Sequence, residues 1–493
     1  MKPTATPAEP SPTEITADVV VIGGGSVGEN VAQYAIAGTD LTAVLIEGEL
    51  LGGECSYYAC MPSKALLRPL SVADAAAHLE GISTPRLDRD ALLSRRDAWV
   101  SHYDDAGQVD WAEGAGIQVV RGHGRLVGER EVLVTPRATS DGTPPDAPGA
   151  SRVRARRAVV LATGSAAVIP ETLAPLLPWT SRDATGVREV PQRLAIVGGG
   201  VVAVEAATWM AALGAEVTLL VRGRSLLSGF DPFAGEDVLE ALRAAGVRVE
   251  LGASVVSGER ARPQASGLGK IHGGQVTLQV RDGSGRRELV VDEVLAATGR
   301  RPRLEDVGLE SVGLSTEDVL GDRLPGWLHA VGDASGEAPL THWGKYRARV
   351  VGQAIRAGAT GEPLEPVPGQ VPVPQVVFTD PQVTSVGLTE AAAREAGHEV
   401  ITARVPFAGT GGSALLRDDV TGTAQLVVDA RAGTVLGAAF VGPEASELLH
   451  AATIAIVGRV PVHVLRHAVP SYPTSSELWL RLLEELPTSL RRG

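Results

Sequence analysis

The chain has 493 residues, room for roughly three domains of ~150 residues each, which excludes a single small binding module. Hydrophobic residues at 44% and charged residues at 21% argue against a disordered or fibrous chain. The net charge of −13 would repel a phosphate backbone and argues against nucleic acid as a partner.

No run approaches the ~18 consecutive apolar residues of a membrane span, so no membrane partner is expected. Residues 1–16 are rich in Pro, Thr and Glu and lack an apolar signal core; a disordered leader and a cytoplasmic protein are expected. From Ala17 an apolar run breaks into Gly-Gly-Gly-Ser-Val-Gly and then into an Ala-rich helical pattern, which reads as strand, tight turn and helix. Gly23, Gly25 and Gly28 have the G-x-G-x-x-G spacing, with Ser26 inside the turn. The first glycine permits the turn, the second lets a pyrophosphate approach the backbone, and the third lets helix and strand pack closely. The next apolar strand, Leu41 to Ile46, ends at Glu47, where a carboxylate accepts ribose hydroxyls.

Two cysteines follow, Cys55 and Cys60, and the chain contains no others. Pro62 suits the first turn of a helix, which places Cys60 near a helix N-terminus where the dipole favours thiolate. The residues alone leave three readings: a redox pair, a metal site, or two inert core thiols. Two thiolates would leave two zinc ligand places empty with no His cluster nearby, so no metal is expected.

A second glycine turn begins at Arg193, with Gly198 and Gly200 in the first two places and Ala203 in the third. The following strand, Glu216 to Val221, runs into Arg222 and Arg224 with no acid at its end. Guanidinium groups there would pair with a 2′-phosphate, so NADPH is favoured over NADH. Two dinucleotide units imply two bound dinucleotides or a duplication. Apolar strands end at Ala162-Thr163-Gly164 and at Ala297-Thr298-Gly299-Arg300, and a third delivers Gly332 and Asp333 to a polyol. Polar stretches from Thr139 to Arg152 and from Glu259 to Gly274 read as hairpin extensions. After Pro366, strand-like runs followed by helices at Ala445 to Val457 and Ser476 to Leu486 read as an α+β domain.

The stretch Gly52-Gly53-Glu54-Cys55 to Cys60-Met61-Pro62-Ser63-Lys64, set in this order of motifs, resembles the class I pyridine nucleotide-disulfide oxidoreductases, the family of glutathione reductase, dihydrolipoamide dehydrogenase and mercuric reductase. The resemblance runs from about Asp18 to Glu477 and includes Phe378 to Glu390 as an interface-domain signature. It implies an α/β fold with two Rossmann-like domains and a C-terminal α+β dimerisation domain. FAD would occupy 17–170 and 300–366, NAD(P)H 171–299, and the homodimer interface 367–493. It further implies that Gly23, Gly25, Gly28, Glu47, Gly53, Thr163, Gly164 and Asp333 hold FAD and that Gly122-His123-Gly124 passes the adenine. Cys60 becomes the thiolate against the flavin and Cys55 the sulfur that attacks a disulfide substrate. Lys64 and Glu205 pair beside the flavin, where hydride arrives.

The chain departs from the family at its end. The His-Pro-Thr-x-x-Glu motif expected of disulfide reductases reads Tyr472-Pro473-Thr474-Ser475-Ser476-Glu477. Tyrosine, with a reference pKa of ~10, is a poor base at neutral pH. Glu54 beside Cys55 is expected to raise that thiol's pKa. The reading is an FAD enzyme passing electrons from NADPH through Cys55 and Cys60 to a small acceptor such as a disulfide. The alternatives are a diaphorase-like reductase of quinones or metal ions that does not need the cysteines, and a low-turnover redox-sensing flavoprotein.

Overall fold

A computed structural model describes residues 13–136, 150–369 and 371–492. The chain divides into two compact units. The first takes the described residues of Met1–Met61, Asp97–Ala166 and Arg300–Val367; the second takes those of Pro62–Arg96, Ala167–Gly299 and Pro368–Gly493.

The first unit is built on a seven-stranded sheet. Strands β1 (Thr13–Ile22), β2 (Ala43–Glu47) and β3 (Ile117–Arg121) run parallel, with β4 (His123–Gly128), β5 (Glu131–Thr135) and β6 (Ser151–Leu161) giving the order β3-β2-β1-β6-β5-β4. The short strand Leu328–Ala330 adds parallel to β6. The unbroken apolar run of β1 is what a strand covered on both faces requires. Val19, Val21 and Leu45 pack with helix α1 (Ser26–Ile36), while Val20, Ile22, Val44 and Ile46 pack with Leu126 and Leu328 on the opposite face. Helices α2 (Gly53–Tyr57) and α3 (Cys60–Ala77) follow β2, and α4 (Thr341–Thr360) lies on α1. That last contact needs glycine: a Cβ on Gly352 would stand 2.9 Å from the Val31 carbonyl oxygen.

In the second unit, the second glycine turn joins strand Arg193–Val197 to helix Val201–Ala212 within a four-stranded parallel sheet. A three-stranded antiparallel sheet spans Ser254–Arg260, Val276–Asp282 and Gly285–Val291. The segment after Pro366 supplies a five-stranded antiparallel sheet, against which Leu448, Leu449 and Ala452 of Ser446–Val457 and Leu478 and Leu482 of Glu477–Glu485 pack. The α/β architecture and the α+β character of the last segment agree with the sequence reading.

Three expectations change. Residues Thr13–Thr16, assigned to a leader, open β1 and pair with Ser151–Arg154; residues 1–12 lie outside the described residues. Pro62–Arg96, assigned to the first nucleotide domain, belongs to the second unit because Leu66, Leu67, Leu70 and Leu92 are buried in one cluster with Trp209 and Met210. Strands Gln382–Gly387 and Val400–Pro406 were not anticipated, since threonine, serine and arginine interrupt their apolar alternation. The Glu259 to Gly274 stretch does link antiparallel strands, whereas 137–149 lie outside the described residues. Among the described residues no helix is long and apolar enough to cross a membrane.

Candidate functional site

Cys55 sits in the middle of α2 and Cys60 opens α3. Both are thiols in this structure and hydrogen-bond each other. Two glycines place α2. Gly52 is left-handed (φ 104°), and a Cβ on Gly53 would stand 2.7 Å from the Gly25 Cα, so any side chain would push α2 off the first glycine turn. The Thr341 hydroxyl at the start of α4 lies 3.4 Å from the Cys60 sulfur. The Cys55 thiol is pushed far above the ordinary thiol range by its hydrogen bond to Cys60, then by burial and by the charge Cys60 carries. The pair therefore resists losing two protons. Glu54 is not the cause that the sequence suggested: its carboxylate lies 3.4 Å from Arg300 and 3.8 Å from Arg303, which offset its charge.

The glycine turn before α1 fits a dinucleotide. A Cβ on Gly23 would lie 2.3 Å from the Ala162 carbonyl oxygen and one on Gly28 would lie 1.9 Å from that of Gly23, so both positions demand glycine. Gly25 caps α1 and faces only the Gly53 Cα at 3.8 Å, leaving room at a helix N-terminus for phosphate. Ser26 is the first helical residue. Glu47 ends β2, where its Oε2 accepts the Gly24 amide at 2.7 Å and its Oε1 that of Glu49 at 2.6 Å; burial, the largest influence, holds its pKa above the ordinary value. Gly124 packs against Ile22 and Ile46, while His123 Nε2 contacts the Asp306 carbonyl at 2.9 Å. Thr163 donates to the Arg303 carbonyl at 2.7 Å, and Gly164 and Gly332 are left-handed. Asp333 accepts from Ser165, whose hydroxyl is in turn contacted by Arg300 Nε at 2.8 Å. These residues fit FAD: an acid at the ribose end, a helix terminus for the pyrophosphate, and an acid for a polyol.

The second unit repeats the arrangement. A Cβ on Gly198 would stand 2.2 Å from the Ala297 carbonyl oxygen, Gly200 faces open space, and Ala203 is buried. Arg222 and Arg224 are exposed after strand Glu216–Val221, and Gly299 accepts the Val168 amide at 2.9 Å. Lys64 Nζ lies 2.8 Å and 3.1 Å from the Glu205 oxygens. Glu205 also accepts the Phe378 amide at 2.9 Å, and Lys64 stands 4.8 Å over the Phe378 ring.

Tyr472 is 81% exposed. Glu477, expected to orient the residue at that place, instead accepts the Gly412 amide at 3.2 Å. Sequence reasoning did not single out Thr341, Lys345, Ser165 or Phe378 as site residues. Lys345 carried one signal, being one of four lysines in an arginine-rich chain. Among the described residues, no group of three or more His, Cys, Asp or Glu could hold a metal ion.

Residues 17–335 match the family described as pyridine nucleotide-disulphide oxidoreductase, and residues 373–482 match its dimerisation domain. Dihydrolipoyl dehydrogenase of Haloferax volcanii is 31% identical over 480 residues, covering 95% of each chain. Mercuric reductase of Staphylococcus aureus is 28% identical over 469 residues, covering 93% of this chain and 80% of that one. The HOCl-induced flavoprotein disulfide reductase RclA from Escherichia coli has the same fold, with a TM-score of 0.77 and 24% identity over 95% of this chain and 100% of that one.

Proposed function

The chain belongs to the pyridine nucleotide-disulphide oxidoreductase family, and on that footing we propose that it is a homodimeric FAD enzyme that takes electrons from NADPH and reduces a small disulfide through Cys55 and Cys60. The observation that carries this reading is the hydrogen-bonded pair of thiols, with Cys60 at the N-terminus of α3 and the Thr341 hydroxyl against it. FAD, held by Gly23, Gly25, Ser26, Gly28, Glu47, Gly53, Gly124, Thr163, Gly164, Gly332 and Asp333, with His123 beside the adenine, would supply two-electron transfer between nicotinamide and the cysteines. Gly198, Gly200, Ala203 and Gly299 would line the nicotinamide dinucleotide site, and Arg222 and Arg224 would hold its 2′-phosphate.

In the reduced chain Cys60 keeps a thiolate and Cys55 a thiol. Cys55 attacks one sulfur of the acceptor as its proton passes to that sulfur's former partner, which leaves as a thiol. The Cys60 thiolate then attacks Cys55 to close the ring, and the second sulfur leaves as a thiolate that takes a proton from solvent. Lys64 and Glu205 hold one another in a fixed orientation and would stand beside a bound nicotinamide. The dimerisation domain supports a homodimer, in which the exposed Tyr472, followed by Glu477, would face the partner's thiols. A phenol there donates a hydrogen bond to a leaving thiolate but is a weak base.

The test is an anaerobic titration of the purified protein with NADPH and with NADH, watching the long-wavelength thiolate-to-flavin charge-transfer band. The band is expected with NADPH, and its absence would refute the dithiol relay. Tyr472 also favours a second reading, in which quinones or metal ions are reduced without the thiols; Cys55→Ser would then leave turnover intact. Similarity to dihydrolipoyl dehydrogenases makes lipoamide the first disulfide to assay, although Tyr472 and the arginine pair point away from it.

A further inference from the structure

Glu29 is a carboxyl that the relay above does not use. It lies one turn into α1, directly after the third glycine of the first turn, on a face that packs into the interior. Only 7% of it is exposed, and its Oε1 has no hydrogen-bond partner among the described residues. An unpartnered buried carboxylate is costly enough that it is retained only where something offsets it. Three titratable groups interact with it through their charges: Lys345 on α4, Glu47 on β2 and Tyr57 on α2. Burial pushes the Glu29 carboxyl up to about 7, the Lys345 ammonium pulls it down, and Glu47 pushes it up.

The N-terminal turns of α1, α2 and α4 meet at one junction. A Cβ on Gly344 would stand 2.6 Å from a Val27 methyl, so the first turn of α4 lies directly on that of α1. Gly53 brings α2 equally close to Gly25, and Thr341 brings α4 to Cys60. Lys345 is one turn beyond Thr341, and its charge reaches two places: it favours the ionised forms of both Glu29 and Cys55. Of the groups around Cys55, Cys60 opposes a second charge while Thr341 and Lys345 favour it.

Building on the dithiol reading, we propose that Glu29 is a positioning residue that sets how strongly Lys345 favours the Cys55 thiolate. Protonated Glu29 leaves the ammonium to act on the sulfur, and ionised Glu29 neutralises it. No bond between heavy atoms changes in this step: as pH rises through neutrality Glu29 gives its proton to solvent, and Cys55 holds its own proton more firmly. The chain thereby retains a proton-sensitive group near the attacking thiol although the usual imidazole is replaced by Tyr472.

The experiment measures Cys55 alkylation by iodoacetamide in the reduced holoenzyme, read by peptide mass spectrometry from pH 6 to pH 9. Glu29→Gln is expected to raise the Cys55 rate at pH 8 by about threefold to tenfold, the effect of a thiol pKa lowered by up to about one unit. Lys345→Met lowers the rate, and in the double variant the effect of Glu29→Gln disappears. An unchanged profile for Glu29→Gln, or its full effect persisting without Lys345, would overturn the proposal. Should Glu29→Gln not fold, Lys345→Met alone decides: its effect must be larger at pH 6 than at pH 8, and equal effects would overturn the coupling. A missing charge-transfer band in the wild type would instead refute the relay itself, so the two failures are distinguishable.

Discussion

The Lys64 ammonium lies 2.8 Å from the Glu205 carboxylate although 141 residues separate them in the sequence. Glu205 is 4% exposed and serves two donors, Lys64 and the Phe378 amide. Replacing it by alanine leaves that amide without its acceptor, and a loss of ~1–3 kcal/mol of stability is expected in denaturant unfolding. Lys64→Met leaves that buried carboxylate without its counter-charge, so its cost is expected to be no smaller, roughly 3 kcal/mol. Stopped-flow reduction of the flavin by NADPH should slow at least tenfold in both variants; unchanged rates would remove the pair from the hydride path.

A second carboxyl outside the relay controls stability. Asp380 is raised to about 7 by burial first and by its hydrogen bond with Asp74, with Arg417 opposing. Arg417 Nη1 bridges the two acids at 2.6 Å from Asp74 and 3.1 Å from Asp380. The folded chain therefore takes up a proton at Asp380 between the ordinary value near 3.8 and about 7. Its contribution is fully present below that window and is lost as pH rises to about 7, then stays flat. Thermal unfolding of wild type and Asp380→Asn from pH 4 to pH 8 should show the wild type losing ground steadily to the variant up to neutrality; a constant difference would contradict the shift.

On the proposed function, coenzyme choice would rest on Arg222 and Arg224, which follow the strand that ends without an acid. Replacing both with alanine is expected to raise the KM for NADPH at least tenfold, with NADH little affected, since only the former carries the phosphate that a guanidinium pairs with. Equal effects on both coenzymes in steady-state assays would show that the arginines act structurally.

Gly28 tests the first nucleotide turn. Its Cβ in Gly28→Ala would fall 1.9 Å from the Gly23 carbonyl oxygen, so α1 must shift away from the strand it follows. Overpacking of this kind costs ~1–3 kcal/mol, and the variant should purify with less than a tenth of the wild-type flavin absorbance. Full flavin content would mean that the turn relaxes without loss of the site.

The departures at Glu54 and Tyr472 show where sequence reading stops. Glu54 is adjacent to Cys55 in the chain, yet Arg300 and Arg303, nearly 250 residues away, determine its effect. Tyr472 can be recognised as a missing imidazole, but only the structure shows that Glu477 turns to the Gly412 amide.

Both glycine turns, the start of a helix at Cys60, the acid at the end of β2 and the basic end of the second strand were legible in the residues themselves. These features are local: a turn that must take positive φ, a proline in a first helical turn and an apolar strand between breakers impose their geometry within a few residues. Tertiary structure decided the Thr341 hydroxyl on Cys60, the partition of Pro62–Arg96 and the burial of Glu29. Each joins segments far apart in sequence, and each depends on how much water the fold excludes. Burial and approach set the proton affinities of Cys55, Glu29 and Asp380, and neither quantity is written in neighbouring residues.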